Sequence, residues 1–304
     1  MCYQGKRQQV SFPGSVLPRG RSTILYRRIK RPLGPLMVHV CLLAGCVPML
    51  FPFAWMFTSA LKSSSQVYRF PPIWVPRPLV WRNFVDVLVI KPFALYVFNT
   101  ITITTLVTVG TVLSATMVAY AFARLRFPSR DRLFTVCLST MMLPGIVTMI
   151  PSYLLFRFLG WLDTYRPLVV PAYFGGGAFF IFLARQFFTS IPLDLDEAAR
   201  MDGANGWYIW LRIILPNSRP LLATMTVFSV LWNWNDFMGP FLYINSSTKL
   251  TVAVALHAYM QMTDLGWQVL MAAATLATLP IMVLYFVAQR YIVQGIMTSG
   301  LGGT

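Results

Sequence analysis

The chain has 304 residues, of which 57% are hydrophobic and only 11% are charged. Soluble domains carry about 25% charged residues, so the composition excludes an ordinary soluble protein and predicts an all-α integral membrane protein with the lipid bilayer as its surroundings. The net charge of +16 does not indicate binding to nucleic acid, because the basic residues lie mainly in the loops between apolar stretches, as the positive-inside rule explains.

Six apolar stretches are long enough to cross a hydrocarbon core of about 30 Å as helices, which takes about 20 residues. They cover residues 35–61, 93–123, 133–156, 168–184, 221–244 and 265–289. The pattern predicts six transmembrane helices within a body at residues 35–291. A basic N-terminal segment at 1–34 precedes this body, and a tail at 292–304 follows it.

Lys and Arg residues are shared unevenly between the two sides of these six stretches. Most of them precede the first stretch, follow the last one, or lie in the second-to-third and fourth-to-fifth loops. The positive-inside rule therefore predicts that both termini and the fourth-to-fifth loop are cytoplasmic. We expect a multi-pass protein of the cell (inner or plasma) membrane.

The fourth-to-fifth loop, residues 190–219, is polar and predicts a cytoplasmic helix-turn-helix. Asp194 is the predicted N-cap of the first helix, and Gly203 is the predicted C′ residue after it, where a left-handed backbone suits glycine. Asn205 or Gly206 is expected to start the second helix, and Pro216 to end it.

Both predicted loop helices are amphipathic, with residues at i, i+3, i+4 and i+7 on one face. The first face consists of Leu195, Ala198, Ala199 and Asp202, and the second of Trp207, Trp210, Leu211 and Ile214. We expect one stripe to pack on the ends of the spans and the other face to receive a partner. A helix pair that lies on the membrane surface without any partner is equally compatible with the spacing.

Sequence motifs for catalysis are missing from the chain. It has no GxxxxGK[ST] sequence for binding nucleotide phosphates, no HExxH or Cys/His cluster for zinc, and no GxSxG elbow. We therefore expect no enzymatic activity, no catalytic residues, no metal and no cofactor bound by this chain. An intramembrane enzyme and an autonomous secondary transporter remain weaker hypotheses, since neither a catalytic set nor inverted repeats are evident.

Three segments of the loop resemble the EAA signature of ABC importer permease subunits. They are Glu197-Ala198-Ala199, Gly203 and Ile214-Leu215-Pro216. In that family the loop docks into a cleft of a cytoplasmic ATPase. The resemblance thus implies an ATPase-docking site formed by Glu197, Ala198, Ala199, Asp202 and Gly203, with Glu197 as the anchor and Gly203 providing the turn.

Further segments are similar to the carbohydrate-uptake subgroup of these permeases, and to the maltose-transporter type of second permease in particular. They include Ala119–Arg124, Met142–Pro144, Leu159–Tyr165, Trp232–Phe237 and Gln289–Gly295. The resemblance implies import of a sugar or oligosaccharide by alternating access, with a glycerol-phosphate-type polyol ester as the alternative. It also implies a second homologous permease subunit, an external solute-binding protein and two ATPase subunits that bind ATP and Mg.

Among Asp, Glu, Lys and Arg residues, only Asp236 lies within the six predicted spans, and it has two amides nearby. An ionisable residue in the membrane is a candidate functional residue because its burial is costly. We consider Trp232, Asn233, Asn235 and Asp236 as a possible substrate path, since amides, a carboxylate and aromatic faces suit hydroxyl-rich ligands. Helix packing through interhelical hydrogen bonds is the alternative, and it is favoured for Asp236.

Gly175, Gly176 and Gly177 interrupt the fourth apolar stretch. Three consecutive glycines allow either close helix packing or a flexible hinge between inward-open and outward-open states. The sequence favours packing, and the hinge is the alternative.

Overall fold

The computed structural model describes residues 33–90, 92–262 and 266–300, and within these ranges all regular structure is helical. The predicted N-terminal segment at 1–34 therefore lies almost entirely outside the described residues. The α-helices of the described ranges are α1 Leu33–Ala60, α2 Ser64–Val67, α3 Arg82–Ile90, α4 Phe93–Arg124, α5 Arg130–Ser139, α6 Gly145–Phe158, α7 Arg166–Val169, α8 Ala178–Ser190, α9 Asp194–Met201, α10 Gly206–Tyr208, α11 Leu215–Asn217, α12 Arg219–Trp234, α13 Met238–Tyr243, α14 Val252–Met260 and α15 Trp267–Gly300.

The chain divides into two compact units, residues 1–49 and 50–304. The described part of the first unit is the beginning of α1, whose side chains from Met37 onward are exposed and mostly apolar. The second unit contains all the other helices and both hydrophobic cores, and the remaining description concerns this unit.

Four helical segments of the described residues are long and apolar enough to cross a membrane, and a bent helix pair is a fifth candidate. The four are Met37–Ala60, Phe93–Arg124, Arg166–Ser190 and Trp267–Gln289. Helix α12, in the fifth predicted stretch, has 16 residues and spans about 24 Å at 1.5 Å per residue. It is thus shorter than the single span predicted at 221–244.

The third, fourth and fifth predicted spans are broken helices in the structure, the fifth between α12 and α13. The third stretch, expected as one helix over 133–156, bends by 98° between α5 and α6. The bend lies at Pro144, because a proline disfavours helical backbone at the residue before it, and Leu143 is extended. The fourth stretch passes from α7 through a 3-10 turn at Val170–Tyr173 to three glycines before α8.

The last helix is longer than the sequence predicted. The sixth stretch was expected to end at residue 289 and to be followed by a tail at 292–304, whereas the α15 backbone continues to Gly300. No helix-breaking residue occurs between 281 and 294, so backbone hydrogen bonding can continue beyond the apolar stretch.

Helix α4 is the central element of the second unit, and α8 and α12 pack along it. Small residues permit this close approach. Ser114 Oγ donates a hydrogen bond to the carbonyl of Ala172 at 2.7 Å, and Tyr173 Oη donates to the carbonyl of Leu106 at 3.1 Å. The broken fourth stretch is therefore fixed to α4 along its non-helical part.

Two apolar clusters mark the two ends of α4. The Phe93-end cluster joins α4 to α3, α14 and α15 through Val87, Phe93, Tyr96, Val252, Tyr259 and Ala273, among others. The Arg124-end cluster joins α4 to α5, α8, α12 and the loop between α8 and α12 through Tyr120, Phe134, Phe188, Ala199, Ile209, Trp210, Ile214 and Met225, among others. The predicted helix-turn-helix thus belongs to the core at the Arg124 end of α4.

Candidate functional site in the loop between α8 and α12

The first loop helix is α9, and it begins one residue earlier than the sequence suggested. Leu193 already has helical backbone angles, φ −70° and ψ −25°, and its carbonyl accepts hydrogen bonds from the amides of Asp196 and Glu197. The prediction of Asp194 as N-cap is therefore wrong. Asp194, Asp196 and Glu197 all lie in the first turn, where negative charge complements the helix dipole.

A Schellman motif ends α9, as the sequence predicted for Gly203. Gly203 has φ +84°, and its amide donates to the carbonyl of Arg200 at 3.0 Å. The next amide, that of Ala204, reaches back to the carbonyl of Ala199 at 2.9 Å. These two bonds satisfy the last carbonyls of the helix, and the left-handed backbone at the C′ position suits glycine.

The second loop helix starts where expected but does not end where expected. Asn205 caps it, since its side-chain oxygen accepts a hydrogen bond from the amide of Tyr208 at 2.9 Å. A π-helical turn follows at Ile209–Ile214, and the chain then continues through Pro216 in α11 directly to α12. The prediction that Pro216 ends the helix is wrong. A proline has no amide hydrogen to donate, and the wider π turn before it changes the hydrogen-bonding register.

The faces of the two loop helices differ from the predicted stripes. In α9, Asp196 and Ala199 are buried, whereas Glu197 and Ala198 are exposed. The paired alanines therefore do not share a face, because adjacent helical residues are about 100° apart. In the second helix, Trp210 and Ile214 are buried. Trp207 and Leu211, predicted on the same stripe, are 65% and 52% exposed.

Of the five residues predicted to form the docking site, four are exposed and one is buried. Glu197, Ala198, Asp202 and Gly203 are exposed and form what we call the α9 surface. Ala199 is 9% exposed and belongs to the Arg124-end cluster. The structure thus brings four of the five predicted docking residues to one accessible helix and its C-terminal turn, and it assigns Ala199 to the support beneath them.

Arg124, the last residue of α4, lies beneath the α9 surface and joins three segments. Its Nη2 donates hydrogen bonds to the carbonyl of Phe188 at 2.6 Å and to that of Ile191 at 2.7 Å. Its Nη1 lies 3.8 Å from Oδ1 of Asp196. The side chains of Arg124 and Asp196 are only 1% and 3% exposed, so this ion pair is buried.

Both members of this ion pair contain buried polar atoms that have no hydrogen-bond partner among the described residues. They are Arg124 Nε and both carboxylate oxygens of Asp196. Buried polar groups normally have partners. The carboxylate of Asp196 is therefore held by the charge of Arg124 at 3.8 Å rather than by a hydrogen bond.

A groove of about 700 Å³ runs beside α9. It is lined by Arg126, Phe127 and Arg130 from the α4–α5 connection, and by Glu197 and Arg200 from α9, among others. Apart from the buried Arg124–Asp196 pair, its charged side chains are three arginines and one glutamate. The surroundings of the exposed Glu197 are therefore net basic.

The four residues proposed for a substrate path have different surroundings. Trp232 is 51% exposed, and its ring contacts those of Phe179, Phe180 and Phe228 at centroid distances of 5.1, 5.2 and 6.1 Å. Asn235 is exposed and donates a hydrogen bond to the carbonyl of Leu231 at 2.8 Å.

Asn233 and Asp236 make local hydrogen bonds rather than the interhelical ones that the packing alternative predicted. Asn233 Nδ2 donates to the carbonyl of Ser229 at 2.7 Å. Asp236 Oδ1 accepts from the amide of Gly239 at 3.1 Å, across the break between α12 and α13. Asp236 thus stabilises the turn at which the fifth predicted span is interrupted.

The three consecutive glycines lie directly before α8, and all have positive φ values, +101° at Gly175, +65° at Gly176 and +96° at Gly177. A Cβ atom on Gly176 would lie 2.6 Å from the carbonyl oxygen of Thr111 and 3.0 Å from Cβ of Ala115. Gly176 therefore serves close packing against α4, the alternative that the sequence favoured.

Comparison with known proteins assigns the chain to a family. Residues 113–298 match the model of the binding-protein-dependent transport system inner membrane component. The chain belongs to this family. It is thus a permease of the inner membrane, as the resemblance to ABC importer permeases predicted.

Individual relatives of the permease are similar over nearly the whole chain. It is 30% identical to the probable ABC transporter permease protein YurM of Bacillus subtilis, over 91% of each chain. It is 31% identical to the sn-glycerol-3-phosphate transport system permease protein UgpE of Rhizobium meliloti, over 89% of this chain and 98% of the relative. A crystal structure of a bacterial ABC transporter that imports the acidic polysaccharide alginate contains a chain with a TM-score of 0.76 and 26% identity, covering 89% of this chain and 100% of that one.

Sequence reasoning missed the burial of Asp196 in the permease. The available signal was its spacing, because Asp196 lies three residues before Ala199 and therefore on the same face. Arg124 gave a second signal, being the first charged residue after a long apolar stretch.

A second aspartate, Asp163, was also missed as a structural residue. Its carboxylate accepts hydrogen bonds from the amides of Asn245 and Ser246 at 3.1 and 2.8 Å and from Ser246 Oγ. Lys249 Nζ donates to its Oδ2 at 3.2 Å and to its carbonyl oxygen at 2.6 Å. The hydrogen bonds from Ser246 are the main reason why the pKa of Asp163 lies well below its ordinary value.

Proposed function

We propose that this permease is one of two membrane subunits of an ATP-driven importer, and that the α9 surface docks onto a separate cytoplasmic ATPase. ATP and Mg would be bound and used by that ATPase. The further partners would be a second, homologous permease and an external solute-binding protein, in keeping with the binding-protein dependence that the family description states.

The proposal includes six membrane crossings with both termini in the cytoplasm. Helices α1, α4 and α15 would cross unbroken, the α5–α6 pair and the α7–α8 segment would cross as broken helices, and α12 would cross with the help of α13. Broken helices are tolerated at membrane depth where other protein segments cover the free backbone groups. The basic residues around α9, including Arg126, Arg130 and Arg200, support a cytoplasmic position for this end.

The observation that carries the proposal is the construction of the α9 surface. A short helix presents Glu197, Ala198 and Asp202 to solvent, while its opposite face is fixed in the core through Ala199 and Asp196. A small exposed alanine permits close approach, and Glu197 offers a carboxylate to a basic partner group. Such a surface can bind an ATPase on one side and transmit its movement to α4 on the other.

Alternating access would follow from that movement. Closure of the ATPase subunits on ATP would displace the α9 surface, and the helix bundle would shift between inward-open and outward-open states. Within Gly175–Gly177, a hinge would involve the backbone at Gly175 and Gly177, because Gly176 is packed closely against α4.

A sugar or oligosaccharide is the proposed substrate class. The residues considered for the path, Trp232, Asn233, Asn235 and Asp236, combine an aromatic face and amides with one carboxylate and no cation. Hydroxyl groups suit this set of side chains. Import of a glycerol-phosphate-type polyol ester is the second candidate, favoured by the similarity to the glycerol-3-phosphate permease of Rhizobium meliloti.

The docking proposal is tested by co-purification from cells that express the complete transporter. An ATPase is expected to co-purify with the wild-type chain and to be lost from a Glu197→Lys, Gly203→Pro variant. A matched control is Lys249→Glu, which changes a charge in the Asp163 region. The proposal is contradicted when both variants retain the ATPase and transport normally.

The substrate class is tested by stimulation of ATP hydrolysis in proteoliposomes that contain the whole complex with its binding protein. Maltodextrins, alginate oligosaccharides and sn-glycerol-3-phosphate are suitable probes. Stimulation by a sugar and not by the phosphate ester is the expected result. Stimulation by sn-glycerol-3-phosphate alone would replace the sugar proposal with the second candidate.

A further inference from the structure

Arg124 joins three chain segments that meet at the end of α4. It belongs to the end of α4, it donates to carbonyls at the end of α8 (Phe188 and Ile191), and it faces Asp196 in the first turn of α9. The carbonyls at a helix C-terminus carry partial negative charge, so all three contacts are made to negative groups. The planar, permanently charged guanidinium is suited to such a multiple contact.

The contact to α9 differs from the two contacts to α8. The α8 carbonyls accept short hydrogen bonds, whereas the Asp196 carboxylate is 3.8 Å away and has no hydrogen-bond partner among the described residues. A displacement of α9 away from α4 would leave a buried carboxylate without its counter-charge, which is strongly unfavourable. The position of α9 is therefore linked energetically to the position of the α4 end.

We propose that Arg124 and Asp196 are positioning residues that make α9, the end of α8 and the end of α4 move as one body, so that a displacement of the α9 surface reaches the membrane helices. This inference rests on the proposed docking of an ATPase. The buried ion pair would carry a movement of α9 to α4. An exposed Glu197 can bind the ATPase but makes no such connection.

A matched control for this ion pair exists on α8. Arg185 lies 3.6 Å from Asp131 on α5 and stacks over the ring of Phe134 at 4.0 Å. It is a partly exposed arginine near the same cluster, and it contacts α5 rather than α9. A change at Arg185 alters local packing and charge without removing the connection between α9 and α4.

The experiment measures the distance between spin labels on α9 and α4 in the complex with its ATPase. Labels are placed at Met201→Cys and Val109→Cys, which replace residues 88% and 45% exposed, after the native cysteines have been changed to serine. Val109 precedes Arg124 by fifteen residues, about 22 Å along the helix, a separation suited to dipolar spectroscopy. Distances are recorded without nucleotide and after trapping with ATP and vanadate.

The wild-type complex is expected to give one narrow distance distribution that stays the same in both states, because α9 and α4 move together. In Asp196→Asn and Arg124→Lys variants the distribution should broaden and its mean should shift on trapping. Arg185→Gln should behave as the wild type. A distance that changes between states in the wild type overturns the proposal, and so do variants that keep the wild-type distribution in both states.

A second variant covers the case in which single changes prevent assembly. The double change Arg124→Met, Asp196→Leu removes both buried charges together and is expected to fold, since apolar replacement of a buried ion pair is often tolerated. It should assemble but lose the fixed distance, and retention of that distance would overturn the proposal. Absence of any ATPase from the wild-type preparation would instead contradict the proposed function.

Discussion

Asp163 and Asp196 both fix loops toward the two ends of α4, but by different means. Asp163 is one-third exposed and accepts hydrogen bonds from two amides, a hydroxyl and a lysine. Asp196 is 3% exposed and faces one arginine, and its carboxylate oxygens have no hydrogen-bond partner in the described part of the chain. The first carboxylate is thus satisfied locally by its own loop, and the second depends on a charge that another helix supplies.

The Asp163 contacts form a static connection between loops, whereas the Asp196 contact can transmit movement between helices. The Asp163 contacts join two loops, at residues 163 and 245–249, through many short bonds, so loss of any one bond leaves others in place. The Asp196 contact joins α9, the proposed docking helix, to α4 through a single buried charge pair. Its loss should therefore have a much larger effect on stability and on coupling between the two helices.

The largest effect is expected from Asp196→Ala, which leaves Arg124 buried without its counter-charge. Such a change costs about 3–5 kcal/mol. The midpoint of thermal unfolding in detergent measures the loss. The matched control is Asp131→Ala, because Asp131 is 73% exposed in its ion pairs, and exposed pairs contribute about 0–1 kcal/mol. Equal losses in the two variants would contradict the buried pair.

A smaller loss is expected from Gly176→Ala, which tests the packing of the broken fourth stretch on α4. The new Cβ would be too close to the backbone of Thr111, and such overpacking costs about 1–3 kcal/mol. Gly160→Ala is the control, since Gly160 has the same φ of +65° and nothing lies within 4 Å of its Cβ position. A neutral Gly176→Ala would mean that the glycines are free to act as a hinge.

Acidification should weaken the Asp163 connection. The pKa of Asp163 is lowered in the folded protein, so its contribution to stability is present above the ordinary value of 3.8 and is lost as the pH falls below it. The wild type should therefore lose stability from about pH 4 downward. Asp163→Asn should be less stable at neutral pH and show a weaker pH dependence. The same slope in both proteins would contradict this role.

The smallest effect concerns the contact between α4 and α12. Thr108 Oγ1 and Ser229 Oγ lie 3.0 Å apart in a buried hydrogen bond. Hydrogen bonds between membrane helices contribute about 0.6 kcal/mol on average. A double-mutant cycle with Thr108→Val and Ser229→Ala measures this energy. A coupling near the value expected for Asp196 would indicate that neutral contacts also link the helices strongly.

The sequence predicted the helical membrane class and the bounds of α4 because long apolar stretches determine both. It also predicted the turn at Gly203, since one residue type suits a left-handed C′ position. It did not predict the bend at Pro144 or the continuation through Pro216. A proline removes one hydrogen bond in either case, and the tertiary packing around it decides whether the helix breaks or adopts a π turn.

The ion pair between Arg124 and Asp196 could not be predicted from local patterns, because its partners are 72 positions apart in the numbering. Asp196 has the spacing of a buried residue and the chemistry of an exposed one. Only the position of the α4 end, set by the packing of α8 and α12, resolves that conflict. The sequence did not separate the two faces of α9, since the buried Ala199 was predicted on one stripe with the exposed Ala198 and Asp202.

The central claim is that the α9 surface faces the cytoplasm and is covered by an ATPase. Its most direct test is labelling of Ala198→Cys, in a chain without native cysteines, by a membrane-impermeant maleimide, with Ser247→Cys as the control at the other end. Ala198→Cys should react only in inverted vesicles and should be protected when the ATPase is bound, whereas Ser247→Cys should react only in right-side-out vesicles. Reaction of Ala198→Cys in right-side-out vesicles would contradict the account.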